Sequence, residues 1–403
     1  MLAFVSGSDS MLLFDDIART ETRPKNERES TYAYYNSSAR PIIAAVRSVL
    51  QLWFESYPAE GKADLLARFR SPIDSQHLSA FWELYLRELF SRFGYTLEPH
   101  PDIPGSSNHP DFLVKQDQTP KFFLEAIVAG LPSTKEAGAD ARLAEVFDLI
   151  NKMEVSEYYL DMQHRGLPNT PPPVGKLRKA LEGWLKSLDL NAMDAACRAG
   201  EFDALPRFEW SHDGLTLLFR PIPKSPARRG SIDARPIALS MGELHSITVD
   251  DDIRNAVEAK AKKYGTLVLP LVVAVNVASE RCDNIDINNA LFGSETIQDT
   301  QNPDGSFSTT GQRLPNGVWF GKGSLRNRYV SAVLVASRLD VYRTGTDTPV
   351  LFHNPYPENR LDSTSYPLPQ FVPDIMSRRM RLVAGKSASE FLRLPTPWPP
   401  ADE

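Results

Sequence analysis

Three carboxylate residues have an order and spacing that suit a divalent-metal site: Glu83, Asp111 and Glu125. Asp111 and Glu125 are fourteen positions apart, enough for a tight hairpin that brings two carboxylates side by side. Hard cations such as Mg²⁺ prefer oxygen ligands, are commonly held by one or two carboxylates and keep several waters. A metal bound in this way can generate hydroxide and stabilise charge on a phosphodiester being cleaved. The three residues therefore predict a metal-assisted hydrolytic site.

One helix and three strands are predicted to position these carboxylates. Apolar residues recur at three- and four-residue spacing over 79–93, and Gly94 follows where a C-terminal cap belongs. Strand-like segments follow at 95–99, 111–115 and 121–128. The loops between them have five to nine residues, which favours antiparallel hairpins. The carboxylates then lie on the helix, at the start of the second strand and near the end of the third.

This order resembles the PD-(D/E)xK nuclease superfamily, whose members have a restriction-endonuclease-like fold. The resemblance covers about fifty residues, from Phe81 to Ala129. It implies that Glu83 matches the helix carboxylate, Asp111 the motif aspartate and Glu125 the third-strand acid. It also implies hydrolysis of DNA, or less often of RNA, with Mg²⁺ (or Mn²⁺) as the cofactor and all three carboxylates as metal ligands. Bacterial defence or DNA processing is the implied role.

One position departs from that family. A lysine is expected two positions after the third-strand acid, where it orients or activates water, and this chain has Ile127. Lys260 is the candidate replacement, because its spacing to Tyr264 in the predicted helix 250–264 is similar to a Gln/Lys-x-x-x-Tyr motif in one branch of the superfamily. The apolar run 267–277 would then be the closing core strand. Lys260 could instead only complement the helix dipole.

Each carboxylate also has a simpler interpretation. Asp111 could be a turn residue after a proline, Glu125 an edge position facing water, and Glu83 a solvated helix flank. The neighbours of Glu125 argue against the water-facing position, because Phe123 and Ile127 share its face of the strand. A lone carboxylate on an apolar face requires a partner or a metal. An inactive protein of this fold, serving as a nucleic-acid-binding or protein-assembly module, is the alternative function.

The composition is that of a globular protein. Of 403 residues, 42% are hydrophobic and 24% charged, which excludes wholesale disorder. Two cysteines are too few for a Cys-rich zinc site or a disulfide framework and fit a cytoplasmic protein. The longest apolar run is shorter than the roughly 18 residues that a membrane span needs, so no membrane association is predicted.

The predicted fold class is α/β, with a restriction-endonuclease-like core (a mixed sheet flanked by helices), a large insertion and an irregular C-terminal region. The core is predicted in two pieces because the third strand and the Lys260 helix are far apart in the chain. The predicted regions are an N-terminal helical region at 1–75, the core at 76–130 and 249–280, an inserted α/β lobe at 131–248, and a β-rich, proline-rich region at 281–403.

The formal net charge of -6 excludes a protein that coats nucleic acid through bulk positive charge. Basic residues cluster locally instead, six of them between Arg313 and Arg343 against one acid. The loop GKGSLRNR lies within this cluster, and its Lys322, Arg326 and Arg328 are predicted to contact phosphates. Solvated surface ion pairs are the alternative. DNA is the favoured partner, with a homo-oligomer or a partner defence protein left open.

Overall fold

The computed structural model describes residues 11–132, 134–230, 235–242, 249–265, 267–279, 282–301, 306–374, 376–377 and 379–401. Parts of the predicted regions that fall between these ranges lie outside the described residues. The chain divides into two compact units. The first comprises the described parts of 1–23, 30–131 and 248–403, and the second those of 24–29 and 132–247.

Four helices open the first unit, and local sequence signals fix their ends. Ser30 caps the first helix by accepting a hydrogen bond from the Ala33 backbone N–H, and Pro41 occupies the first turn of the second. After the fourth helix, Gly94 adopts φ +86°, a left-handed conformation that suits glycine. The helices are α1 (Thr31–Ser37), α2 (Pro41–Glu55), α3 (Ala59–Phe69) and α4 (Asp74–Arg92).

Three antiparallel strands follow α4, as the short loops predict. The register places Phe112 opposite Leu124, so Asp111 and Glu125 are opposite each other at the same end of the hairpin. Along the third strand, Phe123 packs on one side of the sheet and Leu124 on the other. The strands are β1 (Thr96–Pro99), β2 (Phe112–Gln116) and β3 (Thr119–Ala129).

The second unit is an α/β lobe with its own core, and the sequence predicts an inserted lobe over 131–248. Its four-stranded sheet has the order β5-β6-β4-β7, with β4 and β7 parallel and the other neighbours antiparallel. Its elements in chain order are α5 (Thr134–Asn151), β4 (Tyr158–Arg165), α6 (Val174–Lys186), α7 (Leu190–Ala199), β5 (Phe208–His212), β6 (Leu215–Pro223) and β7 (Ile237–Gly242).

The described part of the chain then completes the first unit with three helices, α8 and α9 on one face of the sheet and α10 on the other, and with further strands. The residues of β8 and nearly all of β13 are buried, which is typical of strands covered on both faces. The elements are α8 (Val249–Ala261), β8 (Leu271–Val277), α9 (Asn284–Phe292), β9 (Glu295–Gln301), β10 (Phe307–Arg313), β11 (Phe320–Gly321), β12 (Ser324–Leu325), β13 (Val330–Ser337), β14 (Val350–His353), β15 (Gln370–Asp374), β16 (Arg379–Val383) and α10 (Ala388–Leu392).

One mixed sheet of eight strands organises the first unit, in the order β1-β2-β3-β8-β13-β14-β15-β16. β8 lies parallel to both β3 and β13. The core around α2 and α4 covers one face, and the core around α8 and α9 covers the other. The C-terminal region is more regular than predicted, because β13 to β16 extend this sheet and a capping box at Ser387 starts α10.

The regions predicted as the core and the C-terminus therefore share one sheet, and the helices of the N-terminal region belong to the same compact unit. None of the helices in the described ranges is both long enough and apolar enough to cross a membrane.

Candidate active site

Asp111 and Glu125 lie side by side at one end of the β2–β3 pair. The backbone N–H of Ala126 donates to Asp111 Oδ2 at 2.7 Å, which fixes the aspartate against the third strand. Glu125 is fully buried, with 0% of its surface exposed. Among the described residues, its Oε1 has no hydrogen-bond partner. The predicted hairpin thus brings both carboxylates together.

Lys260 reaches this pair from α8, the helix that packs on the Glu125 face of the sheet. Its Nζ contacts Glu125 Oε2 and lies 3.4 Å from Asp111 Oδ2. Only 14% of the lysine side chain is exposed, so the three charged groups meet in a largely dry environment. The structure therefore brings together three of the four residues predicted from the sequence to act in catalysis.

Burial sets the protonation behaviour of this cluster. Burial, reinforced by the neighbouring charge of Asp111, raises the pKa of Glu125 to about 8, although the Lys260 ammonium opposes the shift. Burial alone would lower the pKa of Lys260, but the charges of Asp111 and Glu125 outweigh it and raise that pKa. A proton or a cation at Glu125 is therefore favoured near neutral pH.

Glu83 lies close to the cluster but is already paired. Its Oε1 and Oε2 accept hydrogen bonds from Arg68 Nη1 and Nη2 at 2.6 and 2.7 Å, a bidentate pair. Burial raises the pKa of Glu83, and the hydrogen bonds from Arg68 oppose that shift. Arg68 also donates from Nε to Asp64 at 2.8 Å. Glu83 is thus neither a solvated flank nor a carboxylate without a partner.

The end of α8 also holds the loop that precedes Asp111. Tyr264 donates its hydroxyl proton to the backbone oxygen of His109 at 3.1 Å. The side-chain amide of Asn108 donates to the backbone oxygen of Lys263 at 3.0 Å. The segment that carries Lys260 therefore also holds the loop before Asp111 in place. In the Lys260–Tyr264 pair, the lysine contacts the carboxylates and the tyrosine holds this loop.

Two residues at this site were missed by sequence reasoning. Arg68 belongs to α3, and its four-residue spacing to Asp64 resembles an ordinary surface pair, so no sequence signal identifies its contact with Glu83. Tyr57 follows α2; burial raises the pKa of its hydroxyl, and the charges of Glu83 and Asp111 add to the shift. Both residues come from N-terminal elements that the sequence predicts only as outer helices.

The loop predicted to contact phosphates has two different kinds of basic residue. Lys322 and Arg328 are exposed, and Arg328 donates from Nε to the backbone oxygen of Tyr356 at 3.2 Å. Arg326 instead forms an ion pair with Glu258 on α8 at 2.8 Å. The structure thus leaves Lys322 and Arg328 accessible to a ligand, while Arg326 ties the loop to the helix that carries Lys260.

The residues present suit a small divalent cation. Within the described ranges, no group of three or more His, Cys, Asp or Glu side chains is arranged to hold a metal ion. Mg²⁺ can be bound through only one or two carboxylates, since it retains waters. Asp111 and Glu125 supply such a pair, and no donor in the described part of the chain reaches the buried Glu125 Oε1. The chemistry of the donor atoms therefore fits Mg²⁺ or Mn²⁺.

Comparison of the chain with models of known protein families, with curated proteins and with solved structures finds no match.

Proposed function

We propose that this protein is a metal-dependent nuclease that hydrolyses phosphodiester bonds, with DNA as the favoured substrate. The convergence of the Asp111–Glu125 hairpin with Lys260, which lies more than 130 positions further along the chain on α8, carries the proposal. The order helix, three antiparallel strands, helix and parallel strand, formed by α4, β1 to β3, α8 and β8, supports a restriction-endonuclease-like core. Bacterial defence or DNA processing is the role implied by that resemblance.

Each residue of the cluster has a distinct part in this proposal. Asp111 and Glu125 would hold Mg²⁺ or Mn²⁺, which when bound supplies an activated water and neutralises charge on the phosphate. Lys260 donates protons in hydrogen bonds to the water or to a phosphate oxygen, the task of the lysine that Ile127 replaces. Because Arg68 occupies both oxygens of Glu83, the glutamate acts on the metal through water, and Arg68 adds positive charge beside the site.

One observation favours a second, non-catalytic function. The Lys260 ammonium contacts Glu125 and approaches Asp111, and so neutralises the two carboxylates as a metal cation would. A cluster closed in this way would be structural, and the fold would then serve as a nucleic-acid-binding or protein-assembly module.

Cleavage and binding assays separate these functions. The wild-type protein, Asp111→Ala and Glu125→Ala are incubated with plasmid, linear duplex, single-stranded DNA and RNA, with Mg²⁺ or Mn²⁺. Cleavage that requires metal and is lost in both variants supports the nuclease. Nucleic-acid binding without cleavage by the wild-type protein supports the binding module. If the wild-type protein neither cleaves nor binds any of the four substrates, the nuclease and the nucleic-acid-binding module are both wrong, and the protein-assembly module remains.

A further inference from the structure

A polar and aromatic cavity in the first unit is lined by residues that do not belong to the carboxylate cluster. Its volume is about 670 Å³, and none of the residues assigned above to catalysis lines it. Cavities of this size commonly hold small organic ligands, because they bury most of the ligand and add a few polar contacts. The walls come from α9, from the segments around β10 and β11, from the residues after β14, and from the β15–β16 hairpin.

Three aromatic rings form a connected wall of this cavity. The centroid of the Phe320 ring lies 6.3 Å from that of Phe292 and 6.3 Å from that of Tyr356. The Tyr356 ring is nearly perpendicular to Phe320, at 87°, and 48% of Tyr356 is exposed. Rings with accessible faces stack on planar ligands, and nucleobases stack in this way without regard to sequence.

Cationic side chains accompany these rings. Arg313 lines the cavity and is held in place by the backbone oxygen of Gly293, at 2.6 Å from its Nη1, and by an ion pair with Glu295. Arg379 lines the cavity from the other side and is exposed. Arg328 adds a third guanidinium next to the Tyr356 backbone. Guanidinium groups match phosphate oxygens in geometry and charge, so the cavity combines surfaces for a base and for a phosphate.

We infer that this cavity binds one unpaired nucleobase together with its phosphate, with the base stacked on the Tyr356 ring, its edge against Phe320, and the phosphate contacted by Arg379 and Arg328. The inference rests on the proposed function in so far as the base belongs to a nucleic-acid substrate. A strand and a mononucleotide present the same chemistry, and the test distinguishes them. A strand source means that the enzyme prefers single strands, bulges or other sites with unpaired bases.

The loop beside the cavity contacts α8, the helix that carries Lys260, although the cavity is not part of the carboxylate cluster. Arg326, whose backbone N–H donates to Trp319 at 2.9 Å, pairs with Glu258 on α8. Glu258 and Lys260 are two positions apart in that helix, so their side chains leave it on nearly opposite sides. The loop beside the cavity and Lys260 are thus both attached to α8.

Fluorescence anisotropy tests the inference on the full chain carrying Asp111→Asn, so that the probe is not cut. The probes are a labelled DNA duplex with one unpaired adenine and the same duplex with an abasic site at that position. We expect the adenine probe to bind about tenfold more tightly or better, the size of one stacking contact. Tyr356→Ala should abolish this difference and Tyr356→Phe should keep it. Phe202→Ala is the matched control, because Phe202 is 50% exposed in the other unit.

Equal binding of the two probes, or a full difference that persists in Tyr356→Ala, overturns the inference. If dAMP displaces the adenine probe, with an affinity that equals the probe's own and depends on Tyr356, the ligand is a mononucleotide. If dAMP does not displace the probe, the ligand is a nucleic-acid strand. Wild-type cleavage assays separate this inference from the proposed function. Cleavage with no Tyr356-dependent binding leaves the nuclease and removes the base site. Tyr356-dependent binding with no cleavage under Mg²⁺ or Mn²⁺ leaves the base site and removes the nuclease.

Discussion

Replacing Lys260 with methionine removes the ammonium from the carboxylate cluster and keeps most of the aliphatic side chain. In the proposed mechanism this ammonium stands in for the lysine missing at Ile127, so the variant should lose nuclease activity and keep its fold. Lys262→Met is the matched control, because the Lys262 side chain lies on the same segment, is 67% exposed and pairs with Glu258 at 3.5 Å, away from the carboxylate cluster.

The contacts of Lys260 determine how much cleavage rate and how much unfolding free energy the Lys260→Met variant should lose. Loss of one preorganised electrostatic donor reduces kcat by roughly 10²–10³. Breaking a buried ion pair can cost about 3–5 kcal/mol of unfolding free energy. Here Glu125, whose pKa burial raises to about 8, can take up a proton at neutral pH instead of remaining as an unpaired charge. We therefore expect a loss of about 3 kcal/mol or less, which leaves the variant folded.

Single-turnover cleavage of a labelled DNA substrate with Mg²⁺ measures the catalytic effect, and urea unfolding measures stability. The double variant Ile127→Lys/Lys260→Met returns an ammonium to the Glu125 face of β3 and should restore part of the rate. If Lys260→Met cleaves the DNA at the wild-type rate, with Mg²⁺ present and the fold intact, the catalytic role of Lys260 is refuted. A loss in Lys262→Met of the same size would show that the effect is not specific to the cluster.

Three further variants test the electrostatics of the site. Since the raised pKa of Glu125 means that the folded state binds its proton more tightly, metal-free stability should fall between about pH 4.5 and pH 8, by at most about 5 kcal/mol. Glu125→Gln should flatten this pH dependence in urea titrations, and an unchanged slope contradicts the assignment. Arg68→Ala should lower the unfolding free energy by about 3–5 kcal/mol, because it leaves Glu83 buried and unpaired, and adding Glu83→Gln should recover part of that loss. Tyr264→Phe removes one hydrogen bond to the loop before Asp111 and should cost about 1 kcal/mol in thermal unfolding, whereas no change would show the contact to be unimportant.

The sequence predicts the central elements of the first unit because their signals are strong and local. The recurring apolar residues of α4 and the almost entirely apolar β8 each specify one type of element and a buried environment. The outer strands β15 and β16 lack such a signal. Gln370, in β15, is buried and forms a 2.7 Å hydrogen bond with His353. From the sequence alone, polar residues of this kind are expected on the surface.

For the candidate site, residues whose spacing follows one element or one hairpin could be predicted, and residues joined only by tertiary packing could not. Asp111 and Glu125 share a hairpin, and the resemblance of the Lys260–Tyr264 spacing to a motif of the nuclease superfamily indicates Lys260. The pairing of Arg68 with Glu83 joins two helices and has no local signal. The rings of the polar and aromatic cavity come from three separate segments, so they have no local signal either.

Metal-dependent cleavage at this carboxylate pair is the central claim, and one comparison tests it most directly. Single-turnover cleavage of labelled DNA is measured for the wild-type protein, Asp111→Asn and Asp117→Asn, with Mg²⁺ and with excess EDTA. Asp117 lies exposed in the turn of the same hairpin, so its variant controls for any general effect of removing an acid there. We predict that wild type and Asp117→Asn cut the DNA only with Mg²⁺, and that Asp111→Asn is inactive. Cleavage by Asp111→Asn at the wild-type rate, or cleavage that persists in EDTA, would contradict the claim.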